Sequence, residues 1–313
     1  MRRVQSTLPD LTIRQFEYLV AVAEEPTWAI AAQRVGVSPS ALSQGLGELE
    51  RRLDMALFES IGRRRVLRAS ASPVLDHARR VLGLTADLVD WSRRVREAER
   101  GRARIGMIDV AAVVHFTDLV AAFRRERPNV QLTLSVAPSA QLLRGVRDGE
   151  LDLAVCVEPP EPMPGIETDE LLRESLVVIA PPASEIGPPH GWGPWVTFPA
   201  GSHSRRLIAD ALARRGAPVT IAAESHQPDV LLQMVELGLG WTVLPLCSPS
   251  PRPTSVVVGP ELVERVIVLA RRAESIHDPA ADELAQRLRA HVASSDRAAI
   301  RNVATAANYG ART

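Results

Sequence analysis

Lysine is absent from this 313-residue chain, and all 37 of its basic residues are arginine, matched by 37 acids. The missing lysine points to GC-rich coding, and so to a bacterium with a GC-rich genome. The even balance excludes a global pull toward nucleic acid. Cysteine is nearly absent too: Cys156 and Cys247 stand alone in apolar contexts. They form no disulfide framework and no zinc spacing, which fits a reducing cytosol. Each reads as a small buried hydrophobe, with a redox-sensing pair as the alternative. No run of about 18 apolar residues occurs, and the N-terminus lacks the apolar core of a signal peptide. A cytoplasmic protein without membrane contact is expected. A nucleophile elbow, a phosphate loop and a metal-ligand cluster are all missing. His115, His190 and His277 are isolated. These absences argue against an enzyme, and no cofactor or metal is expected.

What is present begins at Ile13. Thr27 can cap a short helix from Trp28 to Val35, in which Ala31 and Ala32 permit close packing, and Gly36 supplies a left-handed end. Ser38 is a good N-cap for a second helix, and Pro39 fits its first position. Leu42, Leu46, Leu49 and Leu53 recur at spacings of four and three, the buried stripe of a helix. Ser40, Ser43, Gln44 and Gly47 fall on another, slim face that could enter a DNA major groove. Helix, glycine turn and capped helix is the helix-turn-helix order. Between Ser60 and Arg68 stand four arginines, Arg63, Arg64, Arg65 and Arg68, and no acid. Such a run beside a recognition helix suits phosphates. The DNA-contacting set is therefore expected to be Thr27, Ser38, Ser40, Ser43, Gln44, Arg63, Arg64 and Arg65.

Charge divides along the chain. Residues 1–100 hold 16 arginines and 13 acids, leaving 21 and 24 for the remainder. A mildly basic front and an acidic back fit a DNA-binding end joined to one that avoids DNA. A chain this long suggests two or three domains. Ser72-Pro73 opens a helix running to about Arg100, with Val74, Ala78, Val81, Thr85, Leu88, Ser92 and Val95 as its stripe. Leu75, Leu82 and Val89 widen it. A helix of that length is expected to bury its stripe on a partner helix, with packing on its own domain as the alternative.

From Gly101 the pattern alternates. Strands are expected at Arg104–Ile108, Val130–Val136 and Leu151–Val157, with helices at Phe116–Arg125 and Ala140–Arg147 between them. That order implies a parallel α/β sheet. Prolines 159, 160, 162 and 164 break the chain, and a crossover is expected there. Leu176–Ala180 is expected as a strand, and 181–194 as a surface excursion. Trp195–Phe198, Ser204–Arg215, Val219–Ala223, Asp229–Leu237 and Trp241–Leu244 make a second α/β set. Val266–Ala270 and a helix from Pro279 to Val292 return to the first. Two lobes joined by two crossovers leave a cleft, and ligands bind there at strand ends and helix N-termini. The expected effector residues are Asp109, Ser139, Ser202, His203, Ser225 and His226, with Asp109 able to pair with His203.

Residues 13–68 resemble the winged helix-turn-helix of LysR-type transcriptional regulators. The matching residues are Phe16, Ala31-Ala32, Val37-Ser38, Ala41-Leu42-Ser43, Glu48-Leu49-Glu50, Leu53, Leu57-Phe58 and Arg63-Arg64. The chain departs from that pattern at Gly45 and Gly47, where the family often has long polar or basic residues, and at Ser60, where it usually has Arg. It also has Arg68-Ala69-Ser70-Ala71 in place of a Thr-x-Ala-Gly run. The resemblance continues more loosely to about residue 293. It implies a periplasmic-binding-protein-like, two-lobed effector domain, with a long linker helix that pairs antiparallel in a dimer. It also favours homotetramers built as dimers of dimers, with a homodimer as the alternative, and RNA polymerase is a further expected partner.

The expected organisation is a mostly α winged helix-turn-helix at 1–70 and a linker helix at 71–100. Effector subdomain I spans 101–163 and 264–293, subdomain II spans 164–263, and 294–313 is a tail. The expected function is sequence-specific regulation of transcription. The partners would be double-stranded promoter DNA, a small polar effector that is anionic or zwitterionic, and further copies of the chain. The rivals are a solute-binding protein and an α/β enzyme with an appended helical domain. The first lacks an export signal, and the second lacks a catalytic constellation.

Overall fold

The computed structural model describes residues 10–61, 64–97, 101–246, 255–273, 276 and 278–292, in two compact units. The first unit opens with α1 (Ile13–Glu24), α2 (Trp28–Arg34) and α3 (Pro39–Leu53). Each starts on the side chain that the sequence offers. Thr12 and Gln15 close a reciprocal capping box on α1, Thr27 accepts from the Ile30 N–H, and Ser38 accepts from the Ala41 N–H. Gly36, at φ +69°, takes the left-handed turn between α2 and α3. Leu42, Leu46 and Leu49 are fully buried against Leu19, Ala31 and Ala32 in one apolar core.

Gly45 is required by this packing. A Cβ there would lie 2.7 Å from two ring carbons of Tyr18 on α1, whereas a Cβ at Gly47 would meet nothing. The two glycines therefore differ in kind. Gly45 gives up about 1 kcal/mol of helix propensity for a close helix approach, and Gly47 keeps the exposed face of α3 slim.

A two-stranded antiparallel wing follows, β1 (Phe58–Ile61) with β2 (Arg64–Leu67), in the register Phe58↔Leu67 to Ile61↔Arg64. Helix α4 (Ser72–Glu97) then runs for 26 residues, roughly 39 Å. Its first half packs at home, with Leu75 and Ala78 buried in the core and Val74, Val81 and Leu82 against it. Its second half exposes Leu84, Leu88, Val89 and Trp91.

The second unit is built on a six-stranded sheet of order β4-β3-β5-β10-β6-β9. The strands are β3 (Arg102–Met107), β4 (Gln131–Val136), β5 (Leu153–Val157), β6 (Ile166–Ala180), β9 (Thr242–Pro245) and β10 (Val257–Arg272). β3 lies parallel to β4 and β5, and β10 lies antiparallel to β5 and β6. β7 (Trp195–Thr197) and β8 (Ile221–Glu224) pair parallel, and a parallel bridge from Trp195 to Trp241 brings them to β9. The helices are α5 (Thr117–Glu126), α6 (Ser139–Arg147), α7 (His203–Arg214), α8 (Pro228–Glu236) and α9 (279–292).

Two apolar cores define the lobes. The first gathers Ile105, Met107, Phe116, Phe123, Leu142, Leu284 and Leu288, and the second Ile179, Trp195, Leu231 and Trp241. β6 and β10 serve both. Leu171 and Ile267 belong to the first core, and Leu176 and Leu262 to the second. The changeover therefore falls inside two continuous strands, past the prolines at 159–164. The strands expected at 176–180 and 266–270 are correspondingly longer, at 15 and 16 residues. Polar sequence can extend them because each is the other's hydrogen-bonding partner along most of that length.

Helical structure also begins earlier than expected after β3. Asp109 starts it, a π-helical turn spans Ala111–His115, and α5 follows at Thr117. Cys156 is buried in the first core, and burial pushes its thiol up to about 12, so it is held as a neutral, unreactive hydrophobe. Cys247, His277 and the tail beyond 292 lie outside the described residues.

Candidate functional site

On the first unit, α3 presents Ser40, Ala41, Ser43, Gln44 and Gly47 to solvent. Ser43 and Gln44 have no protein partner among the described residues, so their hydrogen-bonding groups are available. Thr27 and Ser38 are spent on caps, and the Ser38 hydroxyl also lies 2.9 Å from that of Ser40. Their part is to aim the helix.

Glu50 ties the wing to α3. One carboxylate oxygen accepts from the Leu57 and Phe58 N–H groups at 2.8 and 3.1 Å, and the other accepts from Arg65 at 3.0 Å. Arg65 also lies over the rings of Trp28 and Phe58, 5.1 and 5.3 Å from their centroids. Its guanidinium is thus engaged within the domain, where the sequence suggested a phosphate contact. Arg68 is exposed and donates from Nε to the Phe58 carbonyl. The backbone of Arg64 opens β2, while its side chain and Arg63 lie outside the described residues. Beside the wing, Arg51 and Arg52 bond Glu48 and hold its carboxyl down at about 2.

On the second unit, a cavity of about 250 Å³ lies between the lobes. From lobe I come Ile108 and Asp109 after β3, Ser139 at the start of α6 and Val157 at the end of β5. From lobe II come Phe198 after β7, Ser202 and Ser204 at the start of α7, and His226 to Pro228 leading into α8. Arg265 of β10 completes the wall. The cavity thus sits at strand C-terminal ends, where three helix N-termini offer N–H donors.

The expected residues divide. Asp109, Ser139, Ser202 and His226 line this cavity. His203 instead faces a second cavity of about 470 Å³, which shares only Val157 and Arg265 with the first. Its Nδ1 lies 3.1 Å from the Val157 carbonyl, and no bond joins it to Asp109. The Ser225 hydroxyl accepts from the Gln227 N–H and lines neither cavity. Val157 is held from both sides, since its N–H donates to Ser139 Oγ at 3.2 Å.

Sequence inspection missed the group at the crossover strands. Arg265 and Glu174 are 5% and 3% exposed, with Nε to Oε2 at 2.6 Å. Arg265 Nη1 donates to Ser204 Oγ at 3.0 Å, and His115 Nε2 lies 2.9 Å from Glu174 Oε1. The available signal was one charge of each sign within the apolar half of each crossover strand. Among the described residues, no cluster of His, Cys, Asp and Glu is arranged to hold a metal.

The Asp109 carboxyl is raised, first by burial and then by the negative charge of Asp229, while Arg265 pulls it down. A carboxyl with a folded pKa above its unfolded one contributes stability at low pH that is lost as pH rises through the folded value. Asp109→Asn is therefore expected to melt higher than wild type at pH 8 and equally at pH 4. Because the group is partly exposed, the gain is expected below about 1 kcal/mol. Thermal melts at the two pH values check it, and a variant that melts lower at pH 8 contradicts it.

Comparison with known proteins agrees with this anatomy. Residues 13–72 match the bacterial regulatory helix-turn-helix protein model of the lysR family, and residues 96–293 match the LysR substrate binding domain. The chain belongs to the LysR family of DNA-binding transcriptional regulators. Among its relatives is the transcriptional regulator TfdS of Cupriavidus pinatubonensis, 30% identical over 75% of this chain and 82% of its own length. Another is YfeR of Shigella flexneri, 27% identical over 87% and 92%. Both are named as regulators and neither as an enzyme. The crystal structure of the LysR family regulator CbnR matches with a TM-score of 0.58 at 21% identity, over 90% of this chain and 99% of that one. CbnR complexed with its target DNA matches at 0.56. Among the described residues, no helix is long and apolar enough to cross a membrane.

Proposed function

We propose that this regulator reads promoter DNA with Ser40, Ser43 and Gln44 of α3. Thr27 and Ser38 set the pose of the helices, and Arg63 and Arg64 of the wing meet phosphates. The observation that carries this is the division of α3 into the fully buried Leu42, Leu46 and Leu49 and an exposed face whose Ser43 and Gln44 have no partner among the described residues. A small polar effector would occupy the 250 Å³ cavity, touching Asp109, Ser139, Ser202 and His226. His203 and Ser225 would act behind them, steadying the Val157 carbonyl and the entry to α8. Effector binding would shift lobe closure and so how the DNA-binding domains are held. The exposed apolar half of α4 would join two copies, and two such dimers a tetramer. We place the protein in the cytoplasm, with domain limits at 1–70, 71–100, 101–163 with 264–293, and 164–263.

The test is Gln44→Ala. A bidentate Gln–adenine pair discriminates by about 1–3 kcal/mol. The variant is expected to lose that much affinity for operator while binding random DNA as before. Equal losses on both DNAs, measured by fluorescence anisotropy, would show that Gln44 does not read bases.

A further inference from the structure

The larger cavity has no part in the effector reading. It measures about 470 Å³, inside the range of small-molecule sites, roughly 300–1,000 Å³. Helix α7 and its cap stand between the two cavities. Ser202 and Ser204 line the effector side, and His203, Arg206, Leu207 and Asp210 line the other. Across from α7 lie the loop after β5, with Glu158, Pro160 and Met163, and the crossover strands, with Ile166, Glu264 and Val266. Met163, Ile166 and Val266 are the edge of the first core and Leu207 that of the second, so the apolar wall is drawn from both lobes. The free polar groups are mostly acceptors. The side chains of Glu158, Asp210 and Glu264 have no hydrogen-bond or ion-pair partner among the described residues. His203 donates from Nδ1 to the Val157 carbonyl, which leaves Nε2 of the neutral ring as an acceptor. Against these stand Arg206, which is exposed, and Arg265, whose charge Glu174 compensates. Three carboxylates against one uncompensated guanidinium make the cavity negative.

We propose that this cavity is a second ligand site, and that it takes an organic cation with an apolar body, a primary amine carried on an aromatic ring or a short alkyl chain. The body lies on Met163, Ile166, Leu207 and Val266, and the ammonium donates to the carboxylates and to His203 Nε2. A ligand carboxylate would meet three like charges there, and a neutral alcohol would gain the apolar contact alone. A ligand in this cavity touches the same helix that presents Ser202 and Ser204 to the effector. It also reaches Val157, whose N–H is bonded to Ser139 on the effector side and whose carbonyl is bonded to His203 on this one.

The test uses the full chain with benzylamine, phenethylamine, tryptamine and hexylamine, beside the alcohols and carboxylates that carry the same bodies. Binding is screened by thermal shift and measured by calorimetry at low and high salt. At least one amine is expected to bind, with its alcohol weaker by about tenfold and its carboxylate weaker still. The margin over the alcohol should shrink at high salt. The triple variant Glu158→Gln, Asp210→Asn, Glu264→Gln should bring amine and alcohol level. Its three sites are exposed and hold no partner among the described residues, so it should melt with wild type. Asp210→Asn alone should remove about two- to fivefold of the margin, which keeps the test if the triple variant unfolds. Asp109→Asn, in the effector cavity, should leave amine binding unchanged. A screen in which no amine binds overturns the proposal, as does an alcohol or carboxylate that binds as tightly as its amine. So does a margin that survives in the triple variant. If Asp109→Asn weakens the amine and the acid variants do not, the amine sits in the effector cavity, the second site is wrong, and the effector reading stands.

Discussion

Leu88→Glu is expected to reduce the protein to a smaller species in sedimentation and to weaken operator binding by about 10²–10⁴. Leu88 is 50% exposed on the outer half of α4, beside Leu84, Val89 and Trp91. Four large apolar side chains on one stretch of helix form the kind of patch that a second copy covers. A glutamate there would have to be buried unpaired at the seam. The fold of each chain should survive, because the half of α4 that packs on its own core carries Leu75 and Ala78 instead. The affinity falls because two DNA-binding domains held together bind far more tightly than either alone. An unchanged mass in sedimentation velocity would mean that this patch is not the seam.

Arg265→Ala is expected to lower stability by about 3–5 kcal/mol, the range for removing one partner of a buried ion pair. It leaves Glu174 buried without its guanidinium and Ser204 without its donor. In a domain of this size that is roughly 10 °C of melting temperature. The double variant Arg265→Met, Glu174→Leu should recover much of the loss, since an apolar pair of similar volume avoids the uncompensated charge. Thermal unfolding of both variants checks it, and a single variant within about 1 kcal/mol of wild type would show that the pair contributes little.

The DNA-binding half was legible in the sequence because its signals are local. A cap, a proline, a leucine stripe and a glycine turn are each read within a few residues, and Thr27, Ser38 and Leu42 sit where they were expected. The cleft was legible at the level of strand ends, which place Asp109, Ser139, Ser202 and His226 around one cavity. What escaped depends on distant or directional contacts. Arg265 and Glu174 are 91 positions apart and meet only because β6 and β10 pair. Ser202 and His203 are neighbours in sequence, yet they line different cavities, because Ser202 is the extended N-cap of α7 and His203 its first helical residue. Arg65 looks like a phosphate ligand until the fold sets Trp28, Phe58 and Glu50 beside it. Gly45 looks like a weak point in a helix until Tyr18 is seen against it.

The most direct test of regulation through DNA is a titration of the full chain against the intergenic DNA upstream of its own gene. The same length of scrambled sequence serves as control, across a series of salt concentrations. The upstream DNA is expected to bind tighter by about 10³ or more, with log affinity falling linearly in log salt on both DNAs. Equal affinity for the two sequences, or no binding to either at low salt, would contradict it.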